Sequence, residues 1–355
     1  MTSPTFSRNL YEQQSHNKRM TVVVMLLFGL FLAFIGFGFD LYISGTLHTA
    51  HETKMYHGYP ISGDSEDDSG SSFPLPIGTL GAIIVGSVMA MWSMRGGAKA
   101  VIASTGAMPA SPGNPTHKQL MNVVDEMSIA SGLPHPKVYV VPDPDPNAFA
   151  TGTLPENSYV AVTQGLLDKL NREELQGVIA HEMSHIRNYD VRLMTIVAAF
   201  VGSIILISDW ARYSMMFDNG DRRRSSSRSD SGALNAVLFI IWIIGVLLAP
   251  LFAQMMAMAV SRKREYLADA SAAELTRNPL GLAQALIKID RAAEPTVSIK
   301  KGTAHLCIAD PRDRMINQKE GFFAELFGTH PPIKKRIMIL RAMAYQQESK
   351  TRATP

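Results

Sequence analysis

The sequence predicts a mainly α-helical membrane protein, with about four transmembrane helices and one α+β domain that contains a small β-sheet. Three observations support this fold class. Only 18% of the 355 residues are charged, below the roughly 25% of an average soluble domain. Four long apolar segments carry no charged residue. The chain between and after them shows short strand and helix patterns that are typical of a globular domain.

The four apolar segments are the candidate membrane spans, since a helix needs roughly 20 residues to cross the hydrocarbon core of a bilayer. Residues 20–39 follow Lys18 and Arg19 and precede Asp40. They lack the small-residue cleavage site of a removable signal peptide, so a retained anchor is expected. The other candidates are residues 73–94, 193–208 and 232–260. Segment 193–208 is slightly short for a full crossing, and Pro250 is expected to kink segment 232–260.

The distribution of basic residues predicts the topology, because short cytoplasmic segments are enriched in Lys and Arg. We expect a cytoplasmic N-terminus and a multi-pass protein of the inner (plasma) membrane. The predicted parts are a cytoplasmic segment (1–19), two transmembrane helices with an acidic outer loop (20–94), a cytoplasmic domain (95–192 and 261–355) and a transmembrane hairpin (193–260). The hairpin loop carries five arginines within 209–231, so the hairpin either violates the rule locally or is shallow.

The cytoplasmic segments contain the predicted strands and helices of the α+β domain. Asn171 and Glu174 have the spacing of a capping box, which predicts a helix that runs through His185. The other predicted elements are a linker at 96–114, helices at 116–131, 260–276, after Pro279 and at 333–345, and strands at 137–141 and 159–162. A peptide could add as a further strand along 159–162, unless that strand lies inside the sheet.

The sequence His181-Glu182-Met183-Ser184-His185 is an H-E-x-x-H motif on the capped helix. Residues four apart lie on one face of a helix, so both imidazoles can bind one metal ion. Glu182 can then approach the water that the ion activates. Two neutral nitrogens and a carboxylate leave one tetrahedral position open, which favours zinc.

Glu265 is the best candidate for the third ligand. Glu265 and Asp269 have helical i, i+4 spacing, so Glu265 can bind the metal while Asp269 orients an imidazole. The alternative is that both acids belong to a solvated helix face. The single cysteine, Cys307, excludes an internal disulfide and a cysteine-built zinc site. The formal charge of +3 without a basic stripe argues against binding of nucleic acid.

Four blocks of the sequence resemble the HtpX-type membrane zinc metalloproteases, a heat-shock membrane protease family related to the CAAX prenyl proteases. The blocks, in chain order, are 147–152, 181–190, 264–269 and 329–332 followed by Arg336. The resemblance implies a zincin-like metalloprotease domain with one Zn²⁺ per chain. In it, His181, His185 and Glu265 would bind the metal and Glu182 would be the general base.

The same resemblance implies roles for four further residues. Asp269 and Asp190 would contact metal ligands and orient them without binding the metal themselves. His330 and Arg336 would stabilise the oxyanion or position the substrate. Arg336 could instead pair with a structural acid. The expected partners are the lipid bilayer and polypeptide substrates, namely membrane or misfolded proteins that are cleaved at the cytoplasmic face in protein quality control.

The sequence is also compatible with two alternative functions, and it does not predict the oligomeric state. The first is CAAX-type processing of prenylated proteins, against which the four rather than seven candidate spans argue. The second is a catalytically inactive membrane scaffold, which the presence of all three ligand candidates and of the base disfavours.

Overall fold

The computed structural model describes residues 10–51, 55–56, 59–60, 76–197, 200, 240, 242–245, 247–248, 264–292, 298, 306–309 and 331–353. The chain divides into two compact units. One comprises Met1–Val24, Met91–Ser203 and Leu251–Pro355, and the other comprises Met25–Ala90 and Ile204–Pro250. The described helices are α1 (Leu10–His51), α2 (Ile77–Ser104), α3 (Pro115–Ser131), α4 (Gln164–Lys169), α5 (Arg172–Arg187), α6 (190–197), α7 (264–276), α8 (Pro279–Asp290) and α9 (Ile333–Ala353).

Helix α1 contains the clearest candidate membrane span. Its segment Gln14–Gly38 is long enough to cross a bilayer and has a mean hydropathy of 2.6. Helix α2 passes the same test only if Ile77–Met89 and Met91–Ser104 count as one broken span. The described residues therefore contain one or two candidate spans. Most of the predicted spans 193–208 and 232–260 lies outside the described residues, so a total of four spans stays a prediction.

The first unit contains a four-stranded sheet with the order β3-β4-β6-β5. Its strands are β3 (Met108–Pro109), β4 (Lys137–Val141), β5 (Ala148–Gly152) and β6 (Ser158–Thr163). Strands β4 and β6 are parallel, and the other two pairs are antiparallel. A separate hairpin joins β1 (Met55–Tyr56) to β2 (Tyr59–Pro60).

The strand predicted at 159–162 forms as β6, but it lies inside the sheet. Tyr159 pairs with Lys137 of β4 on one side and with Thr151 of β5 on the other. The predicted addition of a peptide along 159–162 is therefore wrong, because both edges of β6 are already hydrogen-bonded within the sheet. The strands predicted from the sequence are 137–141 and 159–162, so β5 is not among them.

Helix α2 continues to Ser104, so the predicted linker at 96–114 is wrong for its first nine positions. Ala98, Val101 and Ile102 are buried in a cluster with Val141 and Phe149 of the sheet. Burial of these apolar side chains stabilises the helix and outweighs the low helix propensity of the adjacent glycines.

A hydrophobic core holds α5 between the sheet, α3 and α8. Val178, Ile179 and Leu286 are fully buried in it. A Cβ atom at Gly177 would lie 2.6 Å from the backbone nitrogen of Leu282, so α5 and α8 approach closely only because Gly177 has no side chain. The predicted capping box is present: Asn171 accepts from the backbone nitrogen of Glu174, and Glu174 accepts from that of Asn171.

Candidate metal centre

Helix α5 carries the H-E-x-x-H residues on its buried side, and α7 brings Glu265 beside them. His181 and Glu182 are buried, and only 14% of the His185 side chain is exposed. His181, His185 and Glu265 each offer one ligand atom, and these three atoms lie within 4.8 Å of one another. The structure thus brings together the three residues that sequence reasoning selected as ligands.

The closest pairs of donor atoms have separations near those around a tetrahedral zinc ion, with Glu265 facing each imidazole through a different oxygen. The Nε2 atoms of His181 and His185 are 3.2 Å apart. Glu265 lies 3.6 Å from His181 Nε2 through Oε2 and 3.5 Å from His185 Nε2 through Oε1. Zinc bonds of about 2.0–2.1 Å in a tetrahedron put neighbouring donor atoms about 3.3–3.5 Å apart. Two imidazoles and one carboxylate are also a common catalytic zinc donor set that leaves a fourth position open.

Each imidazole has a carboxylate beside the Nδ1 atom on its far side. Asp269 Oδ1 lies 3.1 Å from His181 Nδ1, and Asp190 Oδ2 lies 3.0 Å from His185 Nδ1. A proton on Nδ1 that is donated to the carboxylate leaves the lone pair on Nε2, which is the nitrogen that faces the other donor atoms. Asp269 and Asp190 thus each lie beside the Nδ1 atom of one histidine, and the orienting role expected of both acids stays a prediction.

Arg336 from α9 lies fully buried beside this centre. Its Nε and Nη2 contact both oxygens of Asp269 at 2.8 and 2.7 Å. Nη1 donates to the backbone oxygen of Ile308 at 3.0 Å and lies 3.1 Å from Glu265 Oε2. Nη2 is 3.4 Å from His181 Nε2. Arg336 thus pairs with two acids of the centre, while His330 lies outside the described residues.

The buried charges shift the pKa values of the candidate residues. Burial raises the pKa of the Glu182 carboxyl, although His181 and His185 oppose this effect. Burial alone would lower the pKa of His185, but hydrogen bonds to Asp190 and Glu265 outweigh it and raise that pKa to about 10. Burial likewise tends to raise the pKa of Asp269, and Arg336 reverses this and lowers it. The neighbouring carboxylates therefore favour the protonated form of His185 in the metal-free centre.

Two features that contribute to the centre were missed by sequence reasoning. Strand β5 passes beside α5, and its residue Ala150 offers a backbone hydrogen bond to Glu182. From α1, Asn17 reaches Asp190 Oδ1 at 2.7 Å. Strand β5 lies within the block 147–152, so the resemblance had marked its position. A single asparagine next to Lys18 and Arg19 gave no comparable signal.

Three kinds of comparison relate this chain to known proteins. Residues 114–344 match peptidase family M48. A protease HtpX homolog of Streptococcus thermophilus is 38% identical over 334 residues, which cover 94% of this chain and 100% of that protein. A protease HtpX homolog of Thermoanaerobacter pseudethanolicus is 39% identical over 340 residues, 95% of this chain and 98% of that protein. The crystal structure of S. mikatae Ste24p superposes with a TM-score of 0.43 at 18% identity, covering 73% of this chain and 57% of that one.

Proposed function

Because this chain belongs to peptidase family M48, we propose that it is an integral membrane, zinc-dependent metalloendopeptidase that cleaves polypeptides at the cytoplasmic face of the plasma membrane. The observation that carries the proposal is the cluster of donor atoms from His181, His185 and Glu265. Glu182 lies on the same helix as the two histidines. Membrane or misfolded proteins are the proposed substrates, and protein quality control is the proposed role.

The chain's own residues supply every part of the proposed centre except the metal. His181, His185 and Glu265 would hold one zinc ion per chain, and Asp269 and Asp190 would keep the two Nε2 atoms directed at it. When bound, zinc polarises the scissile carbonyl group and lowers the pKa of water to about 7.

Glu182 is the proposed general base. Its carboxylate takes a proton from the attacking water and transfers it to the leaving amine, so no covalent intermediate is needed. Burial raises the pKa of this carboxyl, which makes it a stronger base than an exposed glutamate. The backbone hydrogen bond from Ala150 supports its orientation toward the centre.

Arg336 and His330 are proposed on the oxyanion side of the reaction. The guanidinium of Arg336 lies beside His181 Nε2 and Glu265, close enough to the donor atoms for its charge to act on the reacting group. Its two contacts with Asp269 also give it a positioning role, since they hold the carboxylate that orients His181. The contribution of His330 rests on the resemblance alone.

The test uses the full chain purified in detergent. We expect about one equivalent of zinc per chain, and hydrolysis of casein that stops when a chelator removes the metal and returns when zinc is added back. Full casein hydrolysis by protein that contains no metal would contradict the proposal.

A further inference from the structure

The two orienting carboxylates of the centre are each held by a residue from a distant part of the chain. Arg336, 67 positions away, holds Asp269. Asn17, 173 positions away in α1, holds Asp190. The first contact joins residues of two sequence blocks that resemble a known family, whereas Asn17 belongs to none of them. The helix that contains the N-terminal membrane span therefore contacts the centre through one polar side chain.

Asn17 is buried, with 1% of its surface exposed, and its side chain donates two hydrogen bonds. Its Nδ2 donates to Asp190 Oδ1 at 2.7 Å and to the backbone oxygen of Asn188 at 2.8 Å. The amide orientation follows from chemistry, because a carboxylate and a carbonyl group can only accept and the NH₂ group must therefore face both. Asn17 thus uses both amide hydrogens on the segment that follows the metal-binding helix.

The contact continues from Asp190 to the candidate metal ligand. Asp190 Oδ1 accepts from Asn17, and Arg264 Nε lies 3.5 Å from the same oxygen. The other oxygen, Oδ2, lies 3.0 Å from His185 Nδ1. Asn17 therefore restricts the rotation of the carboxylate that sets the orientation and the tautomer of His185.

Two further contacts of α1 stabilise the end of α5. The last carbonyl groups of a helix lack partners within the helix. Gln14 Nε2, one turn before Asn17, donates to the backbone oxygen of Arg187 at 2.9 Å. Tyr189, in the turn that leads to Asp190, has a φ of 59°, which is unusual for a bulky residue. The Lys18 ammonium group lies 4.5 Å from the centre of the Tyr189 ring.

We propose that Asn17 is a positioning residue of the metal centre, through which α1 sets the orientation of His185 by way of Asp190. The metal centre is then complete only when the N-terminal helix lies against the 187–190 turn. This inference rests on the proposed metal centre. It adds a membrane-anchored helix to the elements that determine the metal affinity of that centre.

The test measures the dissociation constant for Zn²⁺ by competition with a chromophoric chelator, and the visible absorption spectrum of the Co²⁺-substituted full chain. Asn17→Leu keeps the branched shape of the side chain and removes the donor. We expect zinc affinity to fall about tenfold and the Co²⁺ bands to shift, since partners of this kind are typically worth about 10–100-fold in metal affinity.

Thr21→Val is the matched control. Thr21 is a fully buried residue one turn further along α1, and its hydroxyl donates only to the backbone oxygen of Asn17 at 2.8 Å. The control tests whether any buried polar change in this helix produces the effect. We expect wild-type zinc affinity and an unchanged Co²⁺ spectrum in Thr21→Val, and an equal loss of affinity in this variant would overturn the proposal.

A double variant tests the route through Asp190. If Asn17 acts by way of Asp190, Asn17→Leu combined with Asp190→Asn loses no more zinc affinity than Asp190→Asn alone. If the loss of zinc affinity in the double variant equals the product of the two single-variant losses, the proposed route is overturned. Should Asn17→Leu fail to fold, Asn17→Ala carries the same test.

The wild-type measurement separates the two proposals. A wild-type chain without zinc affinity contradicts the proposed function itself. A wild-type chain that binds zinc, together with an Asn17→Leu variant of equal affinity and spectrum, contradicts only the role of Asn17.

Discussion

Arg336 meets both carboxylate oxygens of Asp269, at 2.7 and 2.8 Å, while its third nitrogen lies 3.1 Å from Glu265. One buried cation therefore neutralises two acids, of which Asp269 is proposed to orient His181 and Glu265 is proposed to bind the metal. Arginine suits this place because its planar fork matches a carboxylate with two parallel hydrogen bonds.

Removal of this guanidinium should destabilise the fold as well as the centre. Arg336→Ala leaves the buried Asp269 and Glu265 carboxylates without their cation, which costs about 3–5 kcal/mol in the free energy of unfolding. Arg336→Lys keeps the charge without the fork, so we expect a smaller loss of stability and weaker zinc binding. Chemical unfolding and metal titration measure the two effects. Unchanged stability and zinc affinity, with only turnover lowered, would instead support a role confined to the oxyanion.

The third ligand is tested by removal of the Glu265 carboxylate. Glu265→Ala and His185→Ala should each lose most of the bound zinc, because two remaining protein ligands hold the ion weakly. The matched control is Glu274→Ala, since Glu274 is an exposed acid on the same helix α7. Metal analysis of the purified proteins gives the answer, and full zinc content in Glu265→Ala would assign the third ligand to another residue.

Zinc binding should release protons. The pKa of His185 in the metal-free centre is raised to about 10, so at neutral pH this imidazole must lose a proton before its nitrogen can bind a metal. Apparent zinc affinity should therefore rise from neutral pH toward pH 10, by roughly tenfold per pH unit for each proton released. Calorimetry in two buffers of different ionisation enthalpy counts the protons. A pH-independent affinity with no proton release would contradict the prediction.

The stability of the metal-free chain should show the opposite dependence on pH. The pKa of His185 is higher in the fold, at about 10, than its ordinary value of 6.5. The protonated imidazole therefore stabilises the metal-free fold fully below pH 6.5, and this contribution is lost as the pH rises through about 10. Asp190→Asn removes one of the two hydrogen-bonding acids and should flatten this dependence.

Thiol labelling in intact cells tests the proposed topology. On a Cys307→Ser background, cysteines at positions 65 and 226 should react with an impermeant reagent, and a cysteine at 111 should not. Ser65 and Ser226 lie in the two predicted outer loops, and Ser111 lies in the predicted cytoplasmic domain. Protection of position 226 alone would mean that the hairpin does not cross the membrane. Labelling of position 111 would reverse the orientation.

Local patterns in the sequence predicted much of the centre. The spacing of His181 and His185 places both on one face of a helix, and the capping box at Asn171 defines where that helix begins. Helix α3 likewise ends at Gly132, whose φ of 67° is the left-handed conformation that a glycine at a helix end adopts. Each of these features depends on neighbours a few residues apart.

The features that the sequence did not predict depend on distant contacts. Strand β5 is rich in alanine and ends in glycine, so its β-strand propensity is weak. It forms because β6 pairs with it and because the backbone nitrogen of Gly152 donates to the hydroxyl of Thr195 on α6. The extension of α2 past Gly96 depends on its packing against the sheet. The contact of Asn17 with Asp190 joins residues 173 positions apart, with helices α2 to α5 and both sheets between them in the sequence.

The most direct test of the central claim compares the wild-type chain with Glu182→Gln, for zinc content and for casein cleavage. Glutamine keeps the size of the side chain and one acceptor oxygen but cannot take up the proton, and Glu182 is proposed as the base and not as a ligand. We expect about one zinc per chain and the same fold in both proteins, with a cleavage rate lower by several orders of magnitude in the variant. Equal cleavage rates in the two proteins would contradict this expectation.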